Sequence, residues 1–172
     1  ELSQPNDGES LGWAQKHHPL WLSKRFESFK RVFGKPSFST KLIHQPLPLD
    51  SSKGSASTWF ADWVTLHGIE TKEVSLDAVE INDQCGAGDF SPTATWTIAE
   101  AAESEHLLLK SLQPAPPGTI VGAALDGDGD RCLIVEATEY GYKIIDGDAM
   151  ADTIAVAGHR QSVEWIVAAS IE

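Results

Sequence analysis

The sequence predicts an α/β domain of the three-layer α/β/α kind, built on a mostly parallel mixed sheet. Three observations point there. Short apolar runs such as TIVGAAL at 119 to 125, suited to strands covered on both faces, alternate with segments of helical periodicity. Stretches rich in Gly, Pro, Ser and Asp, such as DSSKGSAS and PAPPG, punctuate them. A length of 172 residues with 41% apolar content is enough for one buried core.

Residues 1 to 19 read as a polar arm or linker, 20 to 160 as the domain, and 161 to 172 as the start of a next domain or a terminal strand. From Pro19 to Phe33, Leu22, Phe26, Phe29 and Phe33 recur at steps of three and four, one face of an amphipathic helix that Gly34 and Pro36 stop. Lys41 to Leu49 reads as a strand, with Pro46 and Pro48 suited to a sheet edge. The turn DSSKGSAS at Asp50 to Ser57 leads into helical spacing of Trp59, Phe60, Trp63 and Val64, ended by Gly68. A short strand at Thr71 to Leu76, a loop at Asn82 to Gly88 and one helix from about Ala94 to Leu112 follow. The strand Thr119 to Leu125, a hairpin of Arg131 to Ala137 with Tyr142 to Ile145, a helix capped by Asp148 and running to about Ala157, and a strand at Val163 to Ala169 complete the order.

Thirteen basic against twenty-five acidic residues give a net charge of -12, the wrong sign for a broad grip on a phosphate backbone, so nucleic acid is not an expected partner. No apolar run approaches the roughly 20 residues that cross a bilayer, so no membrane is expected either. Cys85 and Cys132 lack the paired spacing that holds zinc and suit a reducing compartment, which makes the cytoplasm the expected location.

Chemistry concentrates in Asp126, Gly127, Asp128, Gly129, Asp130, Arg131. Two carboxylates about 4 Å apart repel by roughly 4 kcal/mol at an effective dielectric near 20, so three held together raise one another's pKa or take a cation. The glycines let the chain curl until alternate side chains converge. Oxygen-only ligands favour Mg²⁺, with coordination positions left for water or a phosphate, and Arg131 adds a forked donor for a phosphate oxygen. A solvated acidic turn is the bland alternative. It is disfavoured because the aspartates follow a buried strand, where ligands bind in open α/β sheets. A helix-loop-helix calcium site fails on Arg131 where Gly is required and on Ala137 where Glu is required.

The residues resemble those of the α-D-phosphohexomutases, the family of phosphoglucomutases, phosphomannomutases and phosphoglucosamine mutases. ALDGDGDR at Ala124 to Arg131 is similar to that family's magnesium loop, and IIDGDAM at Ile144 to Met150 to the segment after it. DSSKGSAS resembles its strand-end turn, NDQCGA at Asn82 to Ala87 the N-x-x-C-G-A of its hexosamine branch, and VEWIVAAS the opening strand of its third domain. The resemblance implies the second, metal-binding domain of a mutase. Asp126, Asp128 and Asp130 would bind Mg²⁺ and Arg131 would face phosphate at the catalytic centre. It also implies an intramolecular phosphoryl transfer on a hexose or hexosamine phosphate through a bisphosphate, with the remaining mutase domains as partners. The family's S-H-N-P and S-G-T motifs are not among these 172 residues, so the chain alone is expected to be inactive. The competing expectation is a non-catalytic α/β module that keeps a divalent-cation loop. Asp146 and Asp148 read as turn and cap, Lys53 and Gly54 as a structural turn, Cys85 as packing, and the six histidines as without a chemical role.

Overall fold

The computed structural model describes residues 7 to 33 and 42 to 152. The chain divides into two compact units. The described part of the first is one helix, α1, Asp7–Phe33. It starts twelve residues before the expected Pro19 and contains that proline. Neighbours one turn apart support the earlier turns: Trp13 stacks on His17 at 4.5 Å, and His17 Nδ1 lies 2.8 Å from the Trp13 carbonyl. The arm expected at 1 to 19 is therefore helical from Asp7.

The second unit is an α/β fold on a mixed six-stranded sheet, β1 Leu47–Asp50, β2 Thr71–Glu73, β3 Thr95–Thr97, β4 Ile120–Leu125, β5 Cys132–Ala137 and β6 Gly141–Ile145, in the order β2-β1-β4-β5-β6-β3. β1 pairs parallel with β2 and with β4, an isolated parallel bridge joins Ile43 to Ile120, and the other three strand pairs are antiparallel. The antiparallel share exceeds the expectation because β5 and β6 follow through short turns, which can only return the chain antiparallel.

Helices α2 Phe60–Leu66, α3 Ile98–Glu103 and α4 Leu107–Ser111 pack on the sheet, and α3 packs on α4. α4 lies against β4 where Gly122 has no side chain: a Cβ there would stand 2.8 Å from Leu112 and 3.1 Å from Leu108. Leu108, Val121 and Val135 are wholly buried in the core beneath.

Three further expectations change. Pro46 and Pro48 do not sit on an edge, since β1 lies between β2 and β4. Leu47 donates toward β2, to Glu70 at 2.8 Å, so the missing donor of Pro48 falls toward β4, in the gap of the ladder between the Ile43–Ile120 bridge and Leu49. The helix expected over 94 to 112 is β3 followed by α3 and α4. Thr97 and Glu100 form a capping box that starts α3 only at Ile98, and His106, whose Nδ1 accepts the Leu108 N–H, starts α4 afresh. Finally, Asp146 rather than Asp148 caps the helix over 147 to 152, accepting the Ala149 N–H at 2.9 Å. The strand expected at 163 to 169 lies outside the described residues.

Candidate metal centre

β1 and β4 run parallel side by side, so the segments that leave them, Ser51 onward and Asp126 onward, emerge together at one end of the sheet. The end of β6 arrives there too, because β5 and β6 reverse the chain twice. This is the carboxyl end at which open α/β sheets receive ligands.

Asp126, Asp128 and Asp130 converge. Each can offer one carboxylate oxygen such that all three oxygens lie within 4.8 Å of one another, a spacing one ion can span. Asp126 sits deepest, with its side chain 16% exposed. Its Oδ1 accepts the N–H of Gly129 at 3.0 Å and of Arg131 at 3.1 Å, which ties the loop across its own mouth. Gly129 takes φ +80° to make that bond, a conformation that a side chain resists. Asp128 and Asp130 are exposed. The Arg131 Nε is 3.8 Å from Asp126 Oδ2, and its side chain is largely exposed to solvent.

The acids interact electrically as their spacing requires. The carboxyl of Asp130 is pushed above the ordinary range, first by a hydrogen bond shared with Asp126, then by the charges of Asp128 and Asp126. Partial burial raises that of Asp126, but hydrogen bonds from the Arg131 backbone, the Asp130 side chain and Gly129 outweigh it and leave its pKa below the usual value.

The loop is seated on its neighbours. Ser55 donates its N–H to the Gly127 carbonyl at 2.9 Å and its hydroxyl to the Asp128 carbonyl at 3.2 Å. Gly54 passes so near Gly127 that a Cβ would stand 2.1 Å from its oxygen. A Cβ on Gly127 would meet Ile81 at 2.8 Å and Asn82 at 3.1 Å. The turns at 51 to 55, 80 to 88 and 126 to 131 therefore interlock.

Lys53 donates its ammonium to the carbonyls of Ala78 and Val79, the behaviour of a structural turn rather than of a free phosphate ligand. Cys85 is buried, and burial, then the charge of Asp50, pushes its thiol up to about 11, which suits packing and not nucleophilic attack. Sequence reasoning missed Asp50, Ser52, Gly86 and His106, whose interactions lie behind this surface. The available signal was an aspartate ending a buried strand, a costly placement unless it is hydrogen-bonded.

The donor set suits a hard divalent ion: three carboxylates, no nitrogen or sulfur, and two of the three groups open to solvent for further oxygen ligands.

The chain is similar to curated phosphoglucosamine mutases. It is 29% identical over 135 residues to that of Mycolicibacterium smegmatis, an alignment covering 76% of this chain and 25% of the relative. With that of Pectobacterium carotovorum it shares 29% over 133 residues, 75% of this chain and 25% of the relative. With that of Erwinia tasmaniensis it shares 35% over 88 residues, 51% of this chain and 15% of the relative. The chain thus spans about a quarter of the length of the first two relatives. No family model and no solved structure matches it.

Proposed function

We infer that this chain is the Mg²⁺-binding domain of a phosphohexomutase, corresponding to the second domain of such enzymes. The observation that carries the reading is the convergence of Asp126, Asp128 and Asp130 within 4.8 Å beyond a buried strand, with Arg131 beside them. The similarity to phosphoglucosamine mutases over three quarters of the chain supports it and favours a hexosamine phosphate among the hexose phosphates as substrate. The three aspartates would hold the ion, and a bound divalent cation supplies charge stabilisation to a phosphoryl group in transfer between a protein side chain and a sugar hydroxyl.

The chain's own residues then have distinct tasks. Asp126 pins the loop through Gly129 and Arg131 while facing its partners, so the carboxylates need little rearrangement to act together. Arg131 orients and neutralises a phosphate oxygen through its planar fork. The S-H-N-P and S-G-T motifs that the resemblance ties to the phosphorylated serine and to phosphate binding are not among these 172 residues, and Cys85 is buried with its thiol at about 11. Turnover is accordingly assigned to a protein that also supplies the phosphorylated side chain and the sugar-binding loops, and this chain alone is expected to bind without converting. The cytoplasm, a reducing compartment, suits its two free thiols. Among the described residues no helix is long and apolar enough to cross a membrane.

Calorimetric titration of Mg²⁺ in the presence of a phosphate analogue, on the parent chain and on Asp128→Asn, tests the reading. Saturable binding that weakens at least about tenfold in the variant is expected, about the worth of one charged ligand. Equal isotherms for both proteins would exclude the site.

A further inference from the structure

The carboxylate loop is held from outside itself, and the supports meet at one buried group. Asp50 ends β1 with no exposed surface. Its Oδ1 accepts the N–H of Ser52 at 2.8 Å and its Oδ2 that of Gly86 at 2.7 Å, with His106 Nδ1 3.9 Å from the same oxygen. Both bonds lead to the metal loop. Ser52 donates its hydroxyl at 2.6 Å to the carbonyl of Leu125, the residue just before Asp126. Gly86 lies so close that a Cβ on it would stand 1.7 Å from that hydroxyl and 3.1 Å from the Leu125 oxygen. Asn82, whose side chain flanks Gly127, donates its N–H to the Ser52 carbonyl at 3.1 Å.

The turn that Asp50 opens is one a chain does not adopt unaided. Ser52 and Lys53 in succession take left-handed φ of +56° and +52°. Side-chain-bearing residues hold that conformation only where surrounding contacts impose it. The Asp50 bond to the Ser52 N–H is the nearest such contact, and the Ser75 hydroxyl, accepting the Lys53 N–H at 2.7 Å, is the next.

We propose that Asp50 is a positioning residue for the carboxylate loop: its two oxygens lock the 51–55 turn to the 82–88 segment, and that locked pair sets the spacing at which Asp126, Asp128 and Asp130 present their oxygens. Its purpose rests on the metal-binding reading above, but the mechanical coupling does not. A group that only stabilised the core would change the fraction of folded chains and leave the loop of each folded molecule as it was.

The test is Asp50→Asn in the full chain. One acceptor becomes a donor, so either Ser52 or Gly86 loses its partner. Expected in nitrogen–proton spectra are displaced and exchange-broadened amide signals of Gly127 and Gly129, with those of Val135 and of α2 unmoved. The Mn²⁺ dissociation constant per folded molecule is expected to rise about tenfold, the scale of one lost hydrogen bond to a charged group. Asp62→Asn, on the exposed face of α2, serves as the control and should leave all of these in place.

Should Asp50→Asn fail to fold, Ser52→Ala removes only the strut to Leu125 and is expected to move the same two amides, with a rise of roughly threefold. Wild-type positions for Gly127 and Gly129 in a folded Asp50→Asn, or in Ser52→Ala where that variant alone folds, would overturn the proposal. If those amides move but the parent chain binds no Mn²⁺, the coupling stands and the metal reading falls. If the parent binds and the amides stay, the reverse holds.

Discussion

Gly54→Ala puts the interlocking of the turns to a quantitative test. An added Cβ would stand 2.1 Å from the Gly127 oxygen and 2.7 Å from its carbonyl carbon and Cα. All three are backbone atoms, so no side-chain rotation relieves the clash, and the 51–55 turn must part from the 126–131 loop. Overpacking of this kind costs about 1–3 kcal/mol. Separation also lengthens the 2.9 Å bond from Ser55 N–H to Gly127 and the 3.2 Å bond to Asp128, for about 0.5–1.5 kcal/mol more. The sum is about 1.5–4.5 kcal/mol. With a urea slope of roughly 2 kcal/mol per molar, the unfolding midpoint should fall by about 1–2 M. Mg²⁺ affinity of the folded protein should fall with it, because the parted loop is the one that carries the carboxylates. A midpoint within about 0.2 M of the parent, the spread expected of an innocuous surface change, would refute the close approach and the coupling drawn from it.

Leu108→Ala should cost about 2–5 kcal/mol in urea unfolding, since the side chain is wholly buried against Gly122, yet leave metal affinity of the folded protein unchanged; a loss under about 1 kcal/mol would mean that α4 does not cover β4 as described. Burial, opposed by the charge of Asp50, lowers the pKa of His106, so below about pH 6.5 the unfolded chain binds a proton that the folded chain resists. Stability is therefore expected to be full above pH 6.5 and to fall as the solution is acidified toward the lowered value, by no more than about 1.4 kcal/mol per pH unit. His106→Gln should flatten that slope in urea midpoints between pH 7.5 and 5, and parallel slopes would contradict the assignment. Asp50 shifts the other way, burial raising its carboxyl, so its contribution is lost as pH rises through its folded value. Arg131→Ala should change stability by less than about 0.5 kcal/mol, its side chain being 72% exposed, while weakening binding of a phosphate analogue in the presence of Mg²⁺ but not of Mg²⁺ alone; equal analogue affinity would remove Arg131 from the site.

What the sequence revealed divides along the range of the forces involved. The buried strand at 120 to 125 and the hairpin at 132 to 145 were legible because apolar content and turn residues are local signals. The carboxylate loop was legible for a related reason, since alternating Asp and Gly specify a curl within six residues. The segment 94 to 112 reads as one helix in sequence because its periodicity is genuine but subordinate. Pairing of Thr95, Trp96 and Thr97 with β6 is a contact across more than forty residues, and it overrides propensity. Apolar spacing marks only the later part of α1, whereas pairs such as Trp13 and His17 sustain the turns before it. The missing donor of Pro48 points to an edge only as long as the neighbour it faces is unknown, which the chain's local sequence does not encode. The roles of Asp50, Gly86 and His106 depend on three turns meeting in space, which no spacing along the chain encodes.

Manganese relaxation mapping tests the central claim most directly, namely that Asp126, Asp128 and Asp130 share one ion. Substoichiometric Mn²⁺ added to the labelled chain should broaden the amides of Gly127, Asp128 and Gly129 first and most, Asp146 to Asp148 later, and excess Mg²⁺ should restore the signals. Broadening spread evenly over the acidic surface, or centred away from 126 to 131, would contradict it.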